Sequence, residues 1–164
     1  ESTLEHLLQG LEAYRRAHGR PAQLVAVTGP ACDDALLEGF RGQAREIGGV
    51  VIERFLPDFP RLLAQADLAI LQAGSTAFQL LETDIPILLT VRDYKSREQN
   101  ERARRLAQLP SVWLVERDSE DWADAGRWFE WGLEAVHEPR RLDWDFNGVA
   151  NAAERVLEEL SRVR

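Results

Sequence analysis

The chain has 164 residues, 45% hydrophobic and 29% charged, the composition of one ordinary folded domain and not of a disordered chain. A net charge of −8 with a pI near 5.0 argues against a nucleic-acid backbone as partner. The longest apolar runs, Leu68 to Leu71 and Ile85 to Leu89, fall far short of a membrane span, and Cys32 is the only cysteine, which excludes an internal disulfide and a cysteine-based metal site.

Taken in chain order, residues 2–18 place Leu4, Leu7, Leu8, Leu11 and Tyr14 on one helical face, and Gly19-Arg20-Pro21 stops that helix. Leu24 to Thr28 reads as a strand broken by Gly29-Pro30. Asp33 or Asp34 can cap a helix whose apolar face is Leu36, Leu37, Phe40, Ala44 and Ile47, ended by Gly48-Gly49. The alternation continues: a strand over 50–53, a short helix over 60–65, a strand over 68–71, and a helix over 75–83. A strand over 85–90, a helix over 96–108 and a last strand over 112–115 follow. Apolar strands separated by helices predict a parallel sheet covered on both faces, a Rossmann-like three-layer α/β sandwich forming one domain.

The tail is less regular. Trp122, Ala125, Phe129, Leu133 and Val136 line one face of an expected helix, while Trp128 and Trp131 fall on another. These aromatics read either as core packing or as a surface patch that meets a partner. A final helix over 148–162 is expected to bury Val149, Ala152, Val156, Leu157 and Leu160. His6, His18 and His137 lack ligand spacing and read as surface helix residues. The chain starts at Glu1 and contains no Met, so excision from a longer polypeptide is expected, with a reducing cytoplasm as the default compartment.

In open α/β sheets ligands bind beyond the carboxyl ends of the strands. Four loops qualify: Thr28-Gly29-Pro30, Phe55-Leu56-Pro57, Gln72 to Thr76, and Arg92 to Gln99. Neither a dinucleotide-binding glycine fingerprint nor a Walker A sequence is present. Gly74-Ser75-Thr76 lets a backbone approach an anion closely and offers two hydroxyls, because the first N–H groups of a helix lack internal partners; the same residues also suit an ordinary helix cap. Ser96-Arg97-Glu98-Gln99 matches a capping box, and Gln99 could instead face a sugar hydroxyl. Arg92, Lys95 and Arg97 read either as counter-charges for a diphosphate or as solvated surface cations.

The spaced series Phe55-Leu56-Pro57-Asp58, Ala66-Asp67, Gly74, Pro86, Glu98-Gln99 and Arg102-Ala103 resembles the C-terminal half of the family 28, MurG-like GT-B glycosyltransferases. The resemblance spans residues 24–110. It implies a domain that binds a nucleotide-sugar donor, most often a UDP-sugar, for transfer of the sugar to an acceptor. Leu56 would offer backbone groups to the uracil, with Phe55, Gln72, Thr28 and Gly29 around the pocket. Gly74, Ser75 and Thr76 would meet ribose and diphosphate, and Glu98 and Gln99 the donor hexose. No metal or other cofactor is implied. The catalytic base and the acceptor site would lie on an N-terminal domain, carried by the same chain or by a partner subunit. Any contact with the inner face of a membrane would be made through that half, and these residues alone would be inactive. Leu80 stands where the family carries a ribose-binding acid, with Glu82 two residues on. Two rival readings are a nucleotide-sugar epimerase or hydrolase of the same fold, and a degenerate domain that binds a protein partner through the Trp122 to Trp131 region.

Overall fold

The computed structural model describes residues 2–91, 97–134 and 147–162. Helix α1 (Thr3–His18) begins with a reciprocal capping box: the Ser2 hydroxyl accepts from the Glu5 N–H at 3.2 Å, and the Glu5 carboxylate accepts from the Ser2 N–H at 2.6 Å. Gly19, in the left-handed region at φ 62°, ends the helix. Strand β1 (Leu24–Val27) leads to α2 (Asp34–Ile47), capped by the Asp33 carboxylate through the N–H groups of Ala35 and Leu36, and then to β2 (Val50–Glu53). Next come α3 (Phe59–Leu63), β3 (Ala69–Gln72), α4 (Ser75–Leu81), β4 (Ile87–Thr90), α5 (Arg97–Leu106) and β5 (Val112–Val115).

The chain is mixed α/β and every strand pairing is parallel, but the strands form two sheets instead of the single one expected. β1 pairs with β2, and β3-β4-β5 form the second sheet. What joins the sheets is side-chain packing, with Leu24 and Val50 of the first sharing a cluster with Ile70, Leu88 and Val115 of the second. Alternate residues of β4 enter different clusters. Ile87 and Leu89 pack with Ala77, Leu80 and Leu81 of α4 and Ala103 and Leu106 of α5, whereas Leu88 packs with Leu7, Leu11 and Tyr14 of α1. That is why β4 is buried along its whole length. The two-stranded sheet is buried on one face only. Ile52 packs against Leu37, Phe40 and Ala44 of α2, while Val25, Val27 and Val51 are exposed.

Three expectations about packing are corrected. The helix expected over the tryptophans is broken into α6 (Glu120–Ala123) and α7 (Ala125–Leu133), because Asp124 leaves the helical region at φ −111°, ψ 77° and its carboxylate caps α7 through the Arg127 N–H. Leu36 is exposed, since the inward stripe of α2 runs through Leu37, Phe40 and Ala44. Helix α8 (Gly148–Arg162) forms where expected yet buries none of its residues: Val149, Val156, Leu157 and Leu160 are all exposed. Val136 and His137 lie outside the described residues.

Candidate functional site

The residues of the expected anion site lie at the β3–α4 turn, with their groups arranged differently from the expectation. Gly74, not Ser75, is the N-cap of α4, and no side chain caps this helix. The Gly74 N–H is consumed within the turn, donating to the Gln72 carbonyl at 2.7 Å, and the Gly74 carbonyl accepts from Ala77 at 3.2 Å. The N–H groups of Ser75 and Thr76 have no acceptor among the described residues, so these two, with their hydroxyls, are the donors the turn presents. Gly74 has ordinary extended backbone at φ −86°, and a Cβ built on it would meet nothing nearer than the Gln72 carbonyl at 4.0 Å. Neither backbone strain nor internal packing requires a glycine there.

A buried hydroxyl lies beside this turn. Thr90 ends β4 in register with Gln72, is 2% exposed, and its Oγ1 has no hydrogen-bond partner. Buried polar groups are almost always paired, so this hydroxyl keeps unspent hydrogen-bonding capacity at the strand's carboxyl end. Sequence reading passed over Thr90, although a polar residue closing an otherwise apolar run was the available signal.

Arg102 was also missed as a positioning residue. Its guanidinium donates to the Ala73 carbonyl at 3.0 Å, pairs with the Glu98 carboxylate, and lies 5.4 Å from the centroid of the Phe78 ring. It therefore ties α5 to the turn and to the first residues of α4. Glu98 is committed to Arg102, which balances its charge. Gln99 is half-buried on the same helix. Arg92, Lys95 and Ser96, and with them the expected capping box, lie outside the described residues.

The β1 loop contributes less than expected. The Thr28 N–H donates to Glu53 at 2.9 Å and the Gly29 N–H to Arg54 at 3.1 Å, so both amides are turned toward β2. Gly29 sits at φ +81°, a conformation that does require glycine. What remains there is the Thr28 hydroxyl, a buried oxygen with no partner. Phe55 is 74% exposed, and Leu56 is half-buried beside it. Leu80 is 1% exposed in the core against Ala77 and Leu89, which fixes the register of α4 and leaves Glu82 beyond the helix end as an exposed C-cap. Glu82 thus cannot take the place of an acid at position 80.

Trp122 and Trp128 belong to the core, and Trp131 is half-buried against it. Trp128 is fully buried, its Nε1–H donating to the Asp121 carbonyl at 2.7 Å, and Trp122 lies 5.2 Å from it. His6 is buried between them, with ring centroids 4.6 Å from Trp122 and 5.9 Å from Trp128, instead of on the surface. His18 pairs with Glu130 at 3.0 Å. The displaced pKa values belong to caps and ion pairs. The Ser2 N–H holds the Glu5 carboxyl below its usual range, and the Tyr14 hydroxyl does the same for Glu134, while burial raises Tyr14. Among the described residues no helix is long and apolar enough to cross a membrane.

No known family model matches the chain, and no curated protein matches it.

Proposed function

We propose that the chain is the donor-binding half of a glycosyltransferase that moves a sugar from a nucleoside diphosphate, UDP by preference, to an acceptor. The observation that carries this reading is Gly74. A glycine that neither its backbone angles nor its neighbours require stands beside two unclaimed helix-start N–H groups, leaving open space through which a phosphate can reach the backbone. The two sheets are read here as parts of one Rossmann-like three-layer sandwich, the C-terminal half of a GT-B fold. Ser75 and Thr76 hold the diphosphate, the Thr90 hydroxyl meets a polar group of the donor, and Phe55 and Leu56 flank the base. The base that deprotonates the acceptor belongs to another domain, so these residues bind without turning over.

Amide shifts in an NMR titration with UDP and a UDP-hexose test the reading. Ser75, Thr76 and Thr90 are expected to move, and Gly74→Val to abolish the shifts while preserving the fold. Unmoved amides at these positions would overturn the proposal. The buried Leu80 favours a second reading, a domain of the same ancestry that binds a protein and no nucleotide, and that result would support it.

A further inference from the structure

We infer that the seam between β1 and β3 is the seat of one more parallel strand, supplied by the polypeptide segment that leads into α1. Three observations and one general rule carry this, and none of them rests on the nucleotide-sugar reading. First, both sheets end at the seam with unpaired backbone. Leu24 and Thr28 donate to Gly49 and Glu53, so by alternation the N–H groups of Val25 and Val27 point away from β2. Ala69 donates to Pro86, so those of Ile70 and Gln72 point away from β4. Second, parallel sheets with open internal edges are rare, because an edge strand leaves donors and acceptors ready for pairing.

Third, α1 straddles the two sheets on one face. Its Leu8 packs with Ile52 and Phe40 over β1-β2, while Leu7, Leu11 and Tyr14 pack with Leu88 and Val115 over β3-β4-β5. The helix therefore lies over the seam. Fourth, its direction is right for a crossover. Arg15 near its C-terminal end donates to the Ala22 carbonyl at 3.0 Å and the Gly48 carbonyl at 2.9 Å, just ahead of β1 and β2. The N-cap at Ser2 consequently lies toward the carboxyl edge of the strands. A strand entering α1 from that edge runs parallel to β1, and strand-α1-β1 becomes an ordinary crossover unit.

With the seam filled, the six strands form one sheet in the order β2, β1, new strand, β3, β4, β5. The chain then winds outward in both directions from the new strand, which makes the seam a topological switch point. The loop leaving the new strand would rise beside Gln72 and the Gly74 turn.

Amide hydrogen exchange by NMR tests this on the 164-residue chain and on the same chain carrying a designed arm, a six-residue Val/Ile/Thr strand and a short turn fused ahead of Ser2. In the extended protein Val25, Val27, Ile70 and Gln72 are expected to exchange at least about 100-fold more slowly, with Ala26 and Leu71 little changed. Equal exchange of the four amides in both proteins would overturn the inference. Protection that appears in the unextended chain only as its concentration rises, together with a dimer mass, would also overturn it and assign the seam to a second copy.

Discussion

The Arg102 guanidinium donates to the Ala73 carbonyl at 3.0 Å, so the first turns of α5 hold the loop that follows β3. Its second nitrogen pairs with Glu98, and Phe78 lies beneath the group. Arg102→Ala should destabilise the chain by about 1–2 kcal/mol, since a charged hydrogen bond to a buried carbonyl is lost along with ring packing. Urea unfolding measures that cost. Arg102→Lys should recover little of it, because a point charge cannot span three partners.

Gly10 and Gly39 give opposite outcomes for the same substitution. A Cβ at Gly10 would lie 2.4 Å from the Ala125 carbonyl oxygen, where α1 and α7 touch backbone to backbone. Gly10→Ala should cost about 1–3 kcal/mol or more, as overpacking does. Gly39 is exposed within α2 with nothing inside 4 Å, so Gly39→Ala should stabilise by about 0.5–1 kcal/mol. Melting temperatures that move in the same direction for both would contradict this packing of α1 on α7.

Trp128 holds the aromatic core through shape and one hydrogen bond to the Asp121 carbonyl. Trp128→Phe should cost about 2–4 kcal/mol from lost volume and an orphaned carbonyl. Leu157→Glu on α8 should shift the unfolding midpoint by under about 0.5 kcal/mol, since that residue is exposed. A large loss from Leu157→Glu would mean that α8 has a seat on the folded chain in solution.

The start of α1 should loosen in acid. Glu5 has a folded pKa below its unfolded one, so its contribution is present above the usual glutamate range and lost as pH falls through the lowered value. The protection factors of the Glu5 and His6 amides should fall across that window. Glu5→Gln keeps the acceptor without the titration and should flatten the profile.

Short apolar runs made the strands legible. The expected spans 50–53 and 112–115 are those observed, and Leu24, Thr90 and Ser75 begin or end their elements as expected. Pairing was not legible, because periodicity says which face a residue takes and nothing about which edge finds a neighbour. Helix α8 shows the same limit: its amphipathic pattern is real, but burial depends on a surface to meet. At the candidate site Gly74, Ser75 and Thr76 were legible as a turn opening a helix. Arg102 and the diversion of the Thr28 and Gly29 amides depend on atoms brought together from distant parts of the chain.

The contact of α1 with α7 also sets a clock for synthesis. Tyr14 donates to Glu134, a partner 120 residues further along the chain. At roughly 5–20 residues per second, a ribosome needs about 6–24 s to deliver it. Through that interval the buried stripe of α1, from Leu7 to Tyr14, has no Trp128 or Phe129 to cover it. The nascent chain therefore emerges with α1 exposed, a stretch that chaperones would meet before the fold can close.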